Sequence, residues 1–223
     1  MRTLVVIGGL LAVGVAAADL KGTVKTITGD SLADAEVALY DADSGRQLGR
    51  VRTSADGAYG FFSLPPGTFR LRIMAPGFAS LEVRDVRLSR EDRRMPPIQA
   101  AIAGRCEQPY VEWLRPMEGN VHTGTFSGKI QDHKGRPIAN AEVTVHVDRR
   151  PGVSTRTDSA GAYTFAGDED EYRLLVRHDG FFAAESGLYS VQAGFEAHYS
   201  PSVLDKCPRT GCLPSSKPIH FCE

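Results

Sequence analysis

Thr53-Ser54-Ala55-Asp56-Gly57-Ala58-Tyr59-Gly60-Phe61 returns farther along the chain as Thr157-Asp158-Ser159-Ala160-Gly161-Ala162-Tyr163-Thr164-Phe165. The same landmarks flank both stretches in the same order. Ala35-Glu36-Val37, Phe69-Arg70-Leu71 and Gly77-Phe78 in the first copy answer to Ala141-Glu142-Val143, Tyr172-Arg173-Leu174 and Gly180-Phe181 in the second. The offset drifts only from 106 to 104 to 103 along these pairs, so short loop deletions separate landmarks on a shared framework. A repeated supersecondary unit fixes the fold before any single residue is interpreted. The matched residues are of the kind that build a sheet, not a catalytic site.

On either side of that stretch the apolar residues recur with a period of two. Leu20 to Ile27 alternates and runs into the turn-rich Thr28-Gly29-Asp30-Ser31, which predicts a strand and a tight turn. Val37 and Leu39 share one face, as do Val143 and Val145 in the second copy. A polar excursion from Asp41 to Gln47 leads to a short strand over Gly49 to Thr53. Asp56-Gly57 marks the next turn, where glycine takes a positive φ that a side chain would resist. Tyr59 and Phe61, like Tyr163 and Phe165, point to one side as core plugs, each burying ~150 to 250 Å². Phe69, Leu71 and Ile73 alternate with Arg70 and Arg72, and Tyr172, Leu174 and Val176 repeat the apolar face. Roughly seven short strands per copy and no amphipathic helix predict an all-β protein of two tandem antiparallel sandwiches.

The ordered set of Gly-x-Val or Gly-x-Ile, a turn, Ala-Glu-Val, Thr-x-x-x-Gly-x-Tyr-x-Phe, Tyr-or-Phe-Arg-Leu and Gly-Phe resembles the carboxypeptidase regulatory-like domain. The match is fullest in Gly128-Lys129-Ile130 through Ala141-Glu142-Val143 and covers roughly residues 20 to 102 and 124 to 195. That resemblance implies a transthyretin-like (prealbumin-like) topology, a seven-stranded Greek-key sandwich in each copy, close to carbohydrate-binding-like sandwiches of the starch-binding type. Such domains accompany peptidases, receptors, adhesins and polysaccharide-handling proteins, so the fold by itself implies no activity. The segments Cys106 to Leu114 and Cys207 to Glu223 are similar to parts of bacterial exported proteins built from the same modules.

Residues 1–18 read as a signal peptide: Arg2, an apolar run from Leu4 to Val15, then Ala16-Ala17-Ala18 before a cut. That run of 12 residues is short of the ~20 a spanning helix needs. The expected organisation continues with a first sandwich over 19–104, a structured connector over 105–122, a second sandwich over 123–200 and a cysteine-bearing tail over 201–223. A net charge of −1 gives no basic surface for nucleic acid or anionic membrane. The four cysteines form an even set in an exported chain, which favours disulfides over metal. Pro208-Arg209-Thr210-Gly211 favours a turn joining Cys207 to Cys212, leaving Cys106 for Cys222, while the other pairings stay open.

No His-x-His occurs among His122, His133, His146, His178, His198 and His220, which counts against the dioxygenase iron site that residues 128–137 suggest. No Gly-x-Ser-x-Gly elbow is present, and the chain ends in His220-Phe221-Cys222-Glu223, where hydroxyisourate hydrolases carry Tyr-Arg-Gly-Ser. Asp168 to Glu171 reads as a solvated acidic turn, with Ca²⁺ binding as the alternative, and Arg84, Arg87, Arg90, Arg93 and Arg94 as an exposed, charge-solubilised loop, with a grip on an acidic glycan or another chain's carboxylates as the alternative. Tyr110 and Trp113 in the connector are candidates for ligand stacking or for locking the two copies together. The resulting expectation is a non-catalytic binding or scaffolding protein of the cell envelope, secreted or periplasmic, contacting protein or glycan, with no catalytic residue, metal or cofactor. The alternatives are a dedicated carbohydrate-binding protein and an enzyme on a prealbumin-like fold, a hydrolase or an iron-dependent dioxygenase.

Overall fold

The computed structural model describes residues 17–102, 111–119, 122–147, 152–168, 171–207 and 219–220, and the regular elements among them are all β-strands. The first copy runs β1 (Ala18–Thr26), β2 (Glu36–Asp41), β3 (Gln47–Arg52), β4 (Ala58–Leu64), β5 (Gly67–Met74), β6 (Leu81–Leu88), β7 (Arg93–Arg94) and β8 (Ile98–Ala100). Next comes β9 (Val111–Pro116). The second copy is β10 (Thr123–Asp132), β11 (Glu142–His146), β12 (Val153–Arg156), β13 (Ala162–Asp168), β14 (Glu171–Arg177), β15 (Ala184–Ser190), β16 (Phe195–Tyr199) and β17 (Ser202–Leu204), and β18 (Ile219–His220) follows. β7 and β8 both lie parallel to β1, and β16 and β17 both lie parallel to β10, so each pair is one interrupted strand position and each copy has seven.

Local chemistry accounts for these strands. Twelve of the positions expected inward, Val37, Leu39, Tyr59, Phe61, Leu71 and Ile73 with Val143, Val145, Tyr163, Phe165, Leu174 and Val176, are buried, as is Phe69, whereas Tyr172 is only half-buried. The threonine that opens each repeated stretch is buried and bridges two backbone groups. Thr53 Oγ1 accepts from Ala35 N and donates to Leu32 O, and Thr157 Oγ1 does the same with Ala141 N and Ile138 O. Gly57 and Gly161 take φ of 75° and 71° at the following turn. Their missing Cβ is what lets the backbone approach Val24 O and Ile130 O.

Three sheets result. One is β4-β1-β7 with β8 beside β1, and one is β12-β11-β14-β15-β18. The third has nine strands, β13-β10-β16-β9-β6-β5-β2-β3 with β17 on β10, and so contains strands of both copies. The connector is a member of this sheet, and the buried side chains of the two copies form one continuous cluster. The arginine run also differs from the loop expected of it: Arg93 and Arg94 form β7, and Arg84 and Arg87 lie on β6, where Val83 faces inward and a bulge at Asp85, with φ of 55°, turns Val86 and Leu88 inward after it. The first 16 residues, Cys106, Tyr110, Cys212 and Cys222 lie outside the described residues, as does part of the acidic turn. Among the described residues no helix is long and apolar enough to cross a membrane.

Candidate functional site

β9 has a paired strand on each side. It runs parallel to β6, with Glu82 opposite Trp113 and Val83 opposite Leu114, and antiparallel to β16, with Leu114 opposite Ala197 and Arg115 opposite Glu196. Leu114, Val83 and Ala197 are fully buried. Alternation then turns Trp113, Arg115, Glu82, Glu196 and His198 to the outer face. One face of the junction is therefore core, and the other collects most of the polar and aromatic side chains where the copies meet.

On that outer face the Trp113 and His198 rings stack, with centroids 3.5 Å apart and planes 14° apart. Arg84 reaches Trp113 from the β6 side, its guanidinium carbon 5.0 Å from the ring centroid. Arg84 Nε also lies 2.5 Å from Glu82 Oε1. His198 Nδ1 is 2.9 Å from Ser127 Oγ. Its Nε2 stands 3.1 Å from Glu196 Oε1 but outside hydrogen-bonding alignment. Glu196 is held by Arg115, whose Nε donates to Oε2 at 2.9 Å. Partial burial lowers the His198 pKa, Glu196 opposes this, and Arg115 adds to it.

A second clamp lies deeper. Gln192 is 3% exposed, and its Oε1 accepts from Gln99 N at 3.0 Å while its Nε2 donates to Gln99 O at 3.2 Å. The amide of the second copy thus satisfies both backbone groups of a β8 residue in the first, in place of a neighbouring strand. Nearby, Met117 N donates to Gly194 O at 2.8 Å. A Cβ at Gly194 would stand 2.7 Å from Pro96 Cγ, so close backbone packing there needs glycine. At the rim Arg87 and Glu118 form an exposed ion pair at 3.3 Å, and Arg93 donates to Arg87 O.

Ser127, His198 and Glu196 put a hydroxyl, an imidazole and a carboxylate in a row. Ser127 and His198 are within proton-transfer distance, but Glu196 is not hydrogen-bonded to the imidazole, and Ser127 sits in mid-strand between β13 and β16, where the backbone N–H groups serve the ladders and do not converge on an oxyanion. Of the residues singled out from sequence, Trp113 lies at the centre of the junction. His198 stacks on it, whereas His133 pairs with Asp205, and His178 Nδ1 contacts its neighbour's carbonyl, Asp179 O, at 2.8 Å. Among the described residues no three His, Cys, Asp or Glu side chains come together in a metal-binding arrangement. Sequence reasoning missed His198, Glu196 and Gln192. The alternation Glu112-Trp113-Leu114-Arg115 was the available signal that the connector is a strand.

The carboxypeptidase regulatory-like domain model matches residues 19–98 and 125–200. No curated protein matches in sequence. Among solved structures, the Bacillus anthracis TIE protein is similar at 15% identity and a TM-score of 0.34, covering 85% of this chain, which spans only 34% of that one. A proposed carbohydrate-binding protein from Bacteroides uniformis has 18% identity and a TM-score of 0.33, covering 86% of this chain and 99% of its own. Catechol 1,2-dioxygenase from Acinetobacter radioresistens has 11% identity and a TM-score of 0.34, covering 45% and 58%.

Proposed function

Because the chain belongs to the carboxypeptidase regulatory-like domain family, we propose that it is a non-catalytic binding or scaffolding module that acts outside the cytoplasm and contacts protein or glycan through its sheet faces. The observation that carries this reading is β9, paired on both sides, which joins two sandwiches through a nine-stranded sheet and one core. Such a joint costs the chain its independent domain motion and yields a stiff platform with extended outer faces. Stiffness of that kind serves presentation and attachment, since little ordering entropy is then lost on contact.

Export follows from the leader expected over residues 1–18, and the cell envelope is where disulfides joining Cys207 to Cys212 and Cys106 to Cys222 would persist. The test is capture of envelope proteins and polysaccharides by the exported chain, run beside labelling with a fluorophosphonate. Specific, saturable capture without labelling supports the module. Stoichiometric labelling lost in Ser127→Ala would replace it with a hydrolase using the Ser127 and His198 pair.

A further inference from the structure

The outer face of the β4-β1-β7 sheet carries the one strongly exposed aromatic ring among the described residues, Phe62, at 64% exposure. The ring lies down on the sheet because of Gly60: a Cβ there would stand 3.0 Å from Cζ and 3.3 Å from Cε2 of Phe62. Gly60 is opposite Lys21 on β1, and Lys21 is opposite Arg94 on β7, so all three share this face. Lys21 Nζ is 5.2 Å from the Phe62 centroid and 2.9 Å from Asp19 Oδ2. Arg94 is exposed, and beside it Asp92 Oδ1 accepts from Asp19 N at 2.8 Å. The row is a flat ring followed by two cations, with carboxylates at the margin.

The corresponding row in the second copy is used differently. Leu20 pairs with Phe61 as Phe126 pairs with Phe165, so Phe62 answers to Ala166, Lys21 to Ser127 and Arg94 to His198. There the face abuts β9 and is spent on holding the copies together. In the first copy it is open and has acquired an aromatic and two positive charges.

We propose that Phe62, Lys21 and Arg94 form a binding site for a carboxylate-bearing polysaccharide, a polymer of uronic acid residues. This rests on the binding-module reading above. The apolar face of a pyranose ring stacks on Phe62, and the sugar carboxylate is held by Arg94 and Lys21, whose geometry and charge suit it. Three adjacent strands span roughly 10 Å, the reach of about two linked sugar rings. A protein interface of ordinary size needs ~800 Å² from each partner around an apolar centre, and a single phenyl among charges does not supply that. Exposed cations make the contact salt-sensitive.

The experiment is affinity electrophoresis of the exported chain through gels containing polygalacturonate or its carboxyl-reduced form. Wild type is expected to be retarded by polygalacturonate, much less by the reduced polymer, and less at high salt. Phe62→Ala should weaken retardation about tenfold. Arg94→Gln should abolish the preference for the carboxylated polymer, and Gly60→Ala should weaken binding by lifting the ring. Arg46→Gln, an exposed cation on the turn from β2 to β3, should change nothing. Unaltered thermal melting in each variant shows that folding is intact. Equal loss in Arg46→Gln overturns the site in favour of diffuse charge. Retardation indifferent to Phe62→Ala overturns it while leaving glycan binding elsewhere on the module. No retardation of wild type, with capture of an envelope protein that Phe62→Ala removes, replaces the polysaccharide with a protein partner.

Discussion

Tyr59 and Tyr163 occupy the same position in the two copies, yet their hydroxyls meet different surroundings. Each ring lies over a glycine, since a Cβ at Gly22 would stand 2.6 Å from Tyr59 Cζ and one at Gly128 would stand 2.8 Å from Tyr163 Cζ. In the second copy Tyr163 Oη donates to Tyr189 Oη at 3.4 Å, and Tyr189 Oη lies 3.3 Å from Ser202 Oγ. In the first copy the register puts Val86 where Tyr189 stands and Ile98 where Ser202 stands, and Tyr59 Oη is buried with no hydrogen-bond partner among the described residues. Burial pushes both phenols well above their ordinary pKa. One backbone framework therefore supports a core with aliphatic side chains facing the tyrosine hydroxyl and a core with linked hydroxyls. The first leaves one polar atom unsatisfied, at a cost the rest of that core must offset.

The largest effect expected from this contrast is at Phe126, which is 1% exposed and packs against Phe165, Tyr172, Tyr189 and Tyr199. Phe126→Ala should cost ~3 to 5 kcal/mol, and its counterpart Leu20→Ala ~2 to 5 kcal/mol, nearer the lower end because fewer contacts are lost. Urea unfolding measures both. If β9 joins the copies as described, each variant shifts a single transition. Two separable transitions would show that the cores fold independently.

Next in size is Tyr189→Phe, which removes the middle hydroxyl and strands Tyr163 Oη and Ser202 Oγ, a loss of ~1 to 3 kcal/mol. Tyr59→Phe should act with the opposite sign, raising stability by up to ~1 kcal/mol because an unsatisfied group is deleted. Opposite signs on removing one buried tyrosine hydroxyl from each core are the sharpest check on the comparison. A loss at Tyr59 as large as that at Tyr189 would mean that its hydroxyl has a partner after all.

The smallest effect is the response to acid. In the second copy the Arg136 side chain, with help from its backbone N–H and that of Lys134, lowers the Asp132 pKa to about 2. A depressed carboxylate contributes stability above its ordinary 3.8, and that contribution disappears as pH falls toward 2. His198 is also depressed, by burial, so below 6.5 the unfolded chain binds its proton first and the junction weakens as pH falls. The counterparts in the first copy are Thr26, paired with Ala100 as Asp132 is with Leu204, and Arg94. Neither is a carboxylate or an imidazole. Hydrogen exchange between pH 7 and 4 should show protection falling first on β10 and β16, with β1 following only at lower pH. Simultaneous loss in both copies would contradict this assignment.

The repeat made much of this legible. Period-two alternation reports which side of a strand faces inward, so the twelve inward positions could be read from spacing alone. The turn glycine at position 57 was legible for the same local reason. The connector was not. Trp113 stood out as an aromatic, but nothing near it in sequence names β6 and β16 as its neighbours. His198 and Glu196 became visible only once β16 had been paired. The tail is a related case: β18 lies parallel to β15 opposite Ala184 and Glu185, and β9 lies parallel to β6 opposite Glu82 and Val83. Glu185 answers to Glu82 at the repeat offset of 103, so β9 and β18 hold the same place in the two copies, although their sequences share too little to reveal it.

Strand content, inward parity, turn positions and the doubling of the module were determined by the sequence itself, because each depends on residues within a few positions of one another. Tertiary structure alone decided that the two sandwiches share a sheet and a core, that the outer face of the second is spent on the junction, and that the matching face of the first stays open around Phe62. The reason is physical: a strand edge offers the same N–H and C=O groups to any partner, so the choice of partner depends on which apolar faces must be buried together across more than a hundred residues.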